Sequence, residues 1–153
     1  DGDIFFFFME KSLQDLSGAP VGFTGRVLDD QNMPKYLNTP QTLLYDKSNN
    51  VFGLSQAKNE IRKAGFAVVV EGNMDVISSH QAGVKNVVAT AGTAITARHL
   101  KTISRFSNDI RLCFDADQAG VNATERAIAL SQETGVELLL FRPICLIHYL
   151  FGI

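Results

Sequence analysis

Two acidic clusters are the groups in this chain best suited to chemistry: Glu71-Gly72-Asn73-Met74-Asp75 and Asp115-Ala116-Asp117. Acids at i and i+2 in extended backbone project to the same side. Their mutual repulsion is costly unless a cation sits between or beside them. Neither cluster contains a His or a Cys, and oxygen donors alone suit a hard ion, magnesium or manganese. Glu71, Asp75, Asp115 and Asp117 are therefore the expected metal ligands. Each cluster also has a plainer reading. Asp75 and Asp117 both stand where a helix would begin and could simply cap it, leaving Glu71 as a solvated strand end.

A basic loop supplies a third candidate, Pro34-Lys35-Tyr36-Leu37-Asn38-Thr39-Pro40. A Lys held between prolines could neutralise a phosphate, and Asn38 could hydrogen-bond to ribose or phosphate, so Lys35, Tyr36 and Asn38 are candidates for nucleotide or DNA contact. Arg26, with Lys58, Arg62 and Lys63, could extend a basic face, although each also reads as an ordinary solvated cation. The fourth candidate is the turn Thr90-Ala91-Gly92-Thr93-Ala94, where Gly92 and Thr93 could approach a phosphate at a helix start. It could equally be a plain strand-to-helix turn.

The elements that position these groups alternate regularly. Ala67-Val70 is a short β-branched run of the kind found in strands covered on both faces. Asn86-Ala89, Ile110-Phe114 and Val136-Phe141 read as further strands. Between them fall a short helix from Asp75 to Gln81, a helix capped by Thr96 with Leu100 and Ile103 on one face, and a long helix from Gln118 to Glu133. That last helix carries Ala119, Ala123, Ala127 and Leu130 as its apolar stripe and stops at Gly135. Such alternation predicts an α/β fold, a parallel sheet flanked by helices. In such sheets ligands bind beyond the carboxyl ends of the strands, where Glu71 and Asp115 both fall. Upstream, Val21-Leu28 reads as a strand, residues 34–40 as an extended loop, and Leu54, Ala57, Ile61 and Ala64 as one face of a helix. Phe5-Phe6-Phe7-Phe8 and Ile144-Ile153 follow no pattern and are set aside as divergent ends.

A hydrophobic content of 46% can supply a core, and the formal charge of −2 excludes a basic arm or histone-like surface while allowing a local basic groove. Cys113 and Cys145 have the spacing of neither a disulfide framework nor a zinc site. Cys113, inside an apolar run, is expected to be a small buried thiol. No apolar stretch reaches the ~20 residues needed to span a bilayer, so the expectation is a cytoplasmic monomer without membrane contact.

Taken in order, Val21-Leu28, Pro34-Pro40, Val69-Asp75, Ala89-Thr96 and Leu112-Gly120 resemble the bacterial DnaG-type primases and their TOPRIM subdomain. The likeness runs from about Leu16 to Pro143, and the Pro34-Asn38 loop is similar to the primase version in particular. It implies a TOPRIM-type parallel sheet over residues 66–143, preceded over 16–65 by the end of a mixed α+β subdomain, with divergent residues at 1–15 and 144–153. It also implies DNA-templated joining of ribonucleoside triphosphates on single-stranded DNA, with pyrophosphate released. Glu71, Asp115 and Asp117 would then hold divalent metal with Asp75 in support, and Lys35 and Asn38 would line the cleft. Two-metal transfer would activate a 3'-hydroxyl and stabilise the leaving oxygen, with Lys35 offsetting triphosphate charge.

The family's zinc module and its helicase-binding region have no counterpart in these residues. The acid-rich segment that follows the last strand in the family is replaced by Arg142-Pro143-Ile144-Cys145-Leu146-Ile147. That departure predicts a truncated or frame-disrupted copy whose own turnover is impaired. Two other readings stay open: another TOPRIM enzyme, nuclease or topoisomerase, or a binding module that keeps the fold without turnover. For a topoisomerase, none of the three tyrosines stands out as a nucleophile.

Overall fold

The computed structural model describes residues 8–27 and 36–141, the side chains of 8–10, 26–27 and 36 excepted. Lys35, Cys145 and the apolar tail fall outside the described residues. Two sheets organise the chain. The first is antiparallel, in the order β1-β2-β3, from β1 (Phe8–Gln14), β2 (Pro20–Val27) and β3 (Tyr36–Asn38). The second is parallel, in the order β5-β4-β6-β7, from β4 (Phe66–Val70), β5 (Val87–Ala89), β6 (Asp109–Cys113) and β7 (Glu137–Leu140). Four helices surround it: α1 (Leu54–Ala64), α2 (Asn73–Gln81), α3 (Ala97–Ser104) and α4 (Gln118–Thr134).

The period of two along β4 sorts its side chains into two cores. Ala67 and Val69 join Leu54, Ala57, Ile61, Leu100, Ile103, Ile110, Leu112 and Ala127, which come from α1, α3, β6 and α4. Val68 and Val70 join Val76 of α2, Val87, Ala89, Tyr45, Phe52 and Leu13 of β1. One face is thus covered by three helices. The other is covered by α2 and the antiparallel sheet. Right-handed crossovers require this division. From β4 the chain steps to β5 through α2, then reverses past β4 to β6 through α3 and on to β7 through α4. The reversal sets the topological switch point between β4 and β6.

Local signals explain most boundaries. Thr96 caps α3, its hydroxyl oxygen accepting from the His99 N–H at 3.1 Å. Gly65 and Gly135 end α1 and α4 in the left-handed conformation, at φ 81° and 69°. Cys113 is buried, as its apolar run predicts.

The structure differs from the sequence expectation in two respects. Residues 8–14, set aside with the divergent end, form β1 in register with β2, and Tyr36–Asn38, read as extended loop, pairs with β2 as β3. Helix stripes also shift: Ala64 and Ala119 are exposed, and α4 buries Gly120 and Ala127 instead.

Tyr45 is fully buried in the second core, and its hydroxyl has no hydrogen-bond partner among the described residues. Burial pushes its pKa upward. A buried hydroxyl without a partner costs about 1–3 kcal/mol in desolvation. Tyr45→Phe is therefore expected to leave the fold intact and raise stability by about 1 kcal/mol, measured as a higher urea midpoint with an unchanged slope.

Candidate active site

Glu71 follows β4 and Asp115 lies just past β6, so both stand at the carboxyl edge of adjacent parallel strands, at the switch point. They are joined directly: Asp115 N–H donates to Glu71 Oε1 at 3.0 Å. Gly120 of α4 packs into the same spot. A Cβ there would collide with the Asp115 carbonyl oxygen and approach Glu71 Oε1 to 2.9 Å. Only a glycine lets the first turn of α4 come this close.

Asp75 and Asp117 keep their capping roles. Asp75 Oδ2 accepts from the Gly72 N–H at 3.1 Å, and Asp117 Oδ1 accepts from the Gly120 N–H at 2.8 Å at the start of α4. Each cap uses one carboxylate oxygen. The second is left over, so capping and ligation are compatible.

The electrostatics record crowding. Burial pushes the Glu71 carboxyl above its ordinary range, and the charges of Asp115, Asp117 and Asp75 push it further against the Asp115 N–H hydrogen bond. The Asp75 carboxyl, although its residue keeps an exposed surface, is also raised, first by the protein that desolvates it and then by Asp115. The ion pairs among the described residues, Lys63–Glu60, Arg98–Asp46 and Arg111–Asp109, involve none of these acids. Among the described residues the acids do not close into a ready cluster of three metal donors. The donor set is nonetheless all oxygen, surplus in negative charge and placed at the switch point. It fits a hard divalent cation entering from solvent.

A neighbouring surface comes from the antiparallel sheet and the β5–α3 turn. Asn38, paired with Thr24 across β2 and β3, brings its Nδ2 to 3.0 Å from where a Cβ on Gly92 would sit. Asn73 Nδ2 donates to Thr24 Oγ1 at 3.3 Å, tying α2 to that sheet. The Oδ1 atoms of Asn38 and Asn73 are buried without a partner among the described residues. The turn itself is tight. Ala91 has φ 52° and Gly92 φ 73°, and a left-handed alanine costs roughly 1–2 kcal/mol. Thr90 and Thr93 lock it, each hydroxyl donating to the other's carbonyl at 2.6 and 2.7 Å.

Sequence reasoning overlooked Asn73 and Lys47. Lys47 and Ser48 are bolted to this turn: buried His99 donates from Nε2 to the Lys47 carbonyl at 2.9 Å, and the Thr96 hydroxyl donates to the Ser48 carbonyl at 2.6 Å. His99 Nδ1 accepts from the Thr96 N–H at 3.2 Å, which fixes the neutral Nε2–H tautomer. Burial in turn pushes the His99 pKa down. The Lys47 side chain makes no ion pair among the described residues. No sequence signal marked it, because its placement depends on a histidine 52 positions away.

Of the other expected residues, Arg26 pairs in register with Tyr36 beside Thr24 and Asn38, so their backbones share that surface. The structure does not bring Lys58, Arg62 and Lys63 to the site. Helix α1 leads into the start of β4, so its last turn lies at the edge opposite Glu71. Lys58 donates to the Leu16 carbonyl, Arg62 lies 4.8 Å over the Phe106 ring, and Lys63 pairs with Glu60.

Residues 68–143 match the Toprim-like family, and residues 5–58 match the N-terminal domain of the DNA primase catalytic core. The chain belongs to the bacterial DnaG-type primases. It is 50% identical over 118 residues to the DNA primase of Synechococcus elongatus, covering 76% of this chain and 17% of that protein. The Aquifex aeolicus primase structure, comprising its zinc-binding and RNA polymerase domains, superposes with a TM-score of 0.84 at 35% identity, covering 94% of this chain and 37% of that one. A DnaG primase catalytic domain bound to single-stranded DNA superposes with a TM-score of 0.81 at 32% identity, covering 93% and 48%. The chain spans about a fifth of the length of the curated primases it matches. No helix among the described residues is long and apolar enough to cross a membrane.

The raised carboxyls make metal-free stability depend on pH. An acid whose folded pKa exceeds its unfolded value favours the folded state at low pH, and that contribution fades as pH rises from about 4 through the folded pKa. Magnesium held by these acids would reverse the loss. Millimolar magnesium is therefore expected to raise the melting temperature more at pH 7.5 than at pH 4.5. Glu71→Gln is expected to raise the metal-free melting temperature at pH 7.5 and to remove most of the magnesium increment, both read by calorimetry.

Proposed function

We propose that this chain carries the nucleotidyl-transfer centre of a primase, which joins ribonucleoside triphosphates on a single-stranded DNA template and releases pyrophosphate. The observation that carries this reading is the Asp115 N–H to Glu71 Oε1 contact at the switch point of a primase-type fold. That contact joins the two strand ends that bear Glu71 and Asp115, and among the described residues no ion pair neutralises these acids, Asp75 or Asp117. Glu71, Asp115 and Asp117 are the ligands and Asp75 supports them, through the oxygens their caps leave unused. Divalent cations held there, magnesium or manganese, supply Lewis-acid stabilisation of charge on the attacking and leaving oxygens.

The chain's own groups provide binding and orientation. Lys35 offsets triphosphate charge, with Lys47, held alongside the β5–α3 turn, in support. Asn38 offers its amide to ribose or phosphate, next to Gly92, whose missing side chain leaves room for close approach. Gly92 and Thr93 contribute to nucleotide binding, as do Arg26 and Tyr36. Zinc belongs to a separate module of the family, as does contact with the replicative helicase. A monomer suffices for this site, because both surfaces come from one chain.

The test is template-directed incorporation of labelled ribonucleotides on single-stranded DNA. Any incorporation is expected to require magnesium or manganese and to fall at least 100-fold in Glu71→Gln and Asp115→Asn. Metal binding, measured by calorimetry, should vanish in Asp115→Asn while the fold persists. DNA cleavage without RNA product would assign the site to a TOPRIM nuclease instead. Metal binding unchanged in Asp115→Asn would remove the carboxylates from the metal site.

A further inference from the structure

His99 is fully buried, and both of its ring nitrogens are spent on backbone groups of different segments. Nδ1 accepts from the Thr96 N–H at 3.2 Å, where α3 begins, and Nε2 donates to the Lys47 carbonyl at 2.9 Å. The ring thus fastens the 46–49 turn to the β5–α3 turn. That first turn is closed on itself. The Ser48 N–H donates to Asp46 Oδ1 at 3.0 Å, and the Asn49 and Asn50 N–H groups donate to the Asp46 carbonyl at 3.1 and 2.8 Å. Its flanks are anchored elsewhere: Tyr45 and Val51 lie in the two cores, and Phe52 exchanges both backbone hydrogen bonds with Ala89. The turn can therefore leave α3 as a unit while the sheet stays whole.

Lys47 is held at both of its peptide groups by side chains. Gln41 Oε1 accepts from its N–H at 3.0 Å, and His99 donates to its carbonyl. Other contacts from α3 reinforce the grip. The Thr96 hydroxyl donates to the Ser48 carbonyl at 2.6 Å, Arg98 pairs with Asp46 at 2.6 Å, and the Thr102 hydroxyl donates to Asn49 Oδ1 at 2.8 Å. The Arg98 and Thr102 contacts are exposed, where water and salt compete for them. The His99 bond is buried. Protonation is incompatible with it. A proton on Nδ1 turns the acceptor into a second donor, and that N–H would point at the Thr96 N–H. The ring must then turn, and the Lys47 carbonyl loses its donor.

We propose that His99 is a positioning residue for Lys47: neutral, it holds the 46–49 turn against the β5–α3 turn, and on protonation it releases that turn and the lysine with it. The consequence for triphosphate binding rests on the role given to Lys47 above; the latch itself does not. Burial is the leading influence on the ring and keeps it neutral, against the Lys47 carbonyl and Asp46, which favour the imidazolium, while Arg98 opposes it. Lys47 is the turn's other charge, and residues 90–95 carry none. A histidine whose folded pKa lies below its unfolded value of about 6.5 favours the latched state above that pH. The contribution is lost as pH falls towards the folded pKa. Its sign is opposite to that of the raised carboxyls of Glu71 and Asp75.

The experiment is an NMR pH titration of the nitrogen-labelled 153-residue chain, with EDTA present throughout so that metal at the carboxylates plays no part. The His99 ring is expected to show the Nε2–H tautomer at pH 7.5 and to take up its proton only below about pH 6.5. The Lys47, Ser48, Asn49 and Thr96 amides should shift with the same midpoint, while those of Val69 and Leu112 in the core strands stay in place. His99→Gln keeps a donor for the Lys47 carbonyl and does not titrate, so it should hold the turn and lose the pH step. His99→Leu should show the released turn at pH 7.5, and the wild-type titration decides the matter should that variant fail to fold. Inorganic triphosphate gives the functional readout. One pH unit below the His99 midpoint, the wild-type chain should bind it at least threefold more weakly than His99→Gln does, a comparison in which the ligand's own titration cancels. At pH 7.5 the two should agree within twofold. A ring that stays neutral until the whole chain unfolds, a protonated ring with the 46–49 amides unmoved, or a pH step retained in His99→Gln would overturn the proposal. Release of the turn with triphosphate affinity unchanged would leave the latch standing and remove Lys47 alone from the nucleotidyl-transfer reading.

Discussion

Everything at the carboxylate edge depends on how closely β6, β4 and the start of α4 approach one another. The Asp115 N–H reaches Glu71 Oε1 across adjacent parallel strands, and Gly120 closes the contact from above without a side chain. A backbone N–H is a strong, fixed donor, so it holds one carboxylate in place while other acids crowd around it. The hydrogen bond opposes the repulsion only in part, and the Glu71 carboxyl stays above its ordinary range. The fold thus keeps unfavourable charge in reserve at one point, and the sheet's two cores, filled on both faces of β4, hold it there. Binding a divalent cation is the event that would draw on that reserve.

The parallel sheet was legible because each of its inner strands is buried on both faces, which leaves a continuous apolar run such as Ala67-Val70. Helix limits were legible where a cap residue stood at the boundary, as at Thr96, Asp117 and Gly135. The missed strands lacked either signal. β1 sends Leu13 into the core while Lys11 borders a cleft beside α2, so its inner face is not an apolar stripe. β3 is three residues long and exists through its register with β2. The misplaced stripe of α4 has a specific cause. Helical periodicity permits Ala119-Ala123 or Gly120-Ala123-Ala127, and the need to pass the Asp115 carbonyl selects the stripe that begins with glycine.

For the candidate site, types and spacing were enough to anticipate that Glu71 and Asp115 fall at adjacent strand ends, because parallel strands bring their carboxyl ends to one edge. The neighbouring surface was less legible, because its parts meet only through tertiary contacts. Asn38 reaches Gly92 because β3 pairs with β2, and Lys47 reaches the same turn because His99 holds its carbonyl. Asn73 sits inside an acidic motif, yet its side chain serves the antiparallel sheet through Thr24. No periodicity along the chain reports such pairings.

These contacts also explain why the antiparallel sheet belongs to the site although it bears none of the acids. Leu13 anchors it in the core behind β4, and Asn50 Nδ2 and Lys58 Nζ bind the Gln14 and Leu16 carbonyls from the parallel side. With its base fixed in this way, the sheet presents Asn38 to Gly92 of the β5–α3 turn and receives the Asn73 amide at Thr24. The placement of the antiparallel sheet is thus set by core packing as well as by these hydrogen bonds, and packed cores resist continuous deformation. A substitution behind β4 that shifts Leu13 or Tyr45 would displace Asn38 relative to Gly92 without touching either residue.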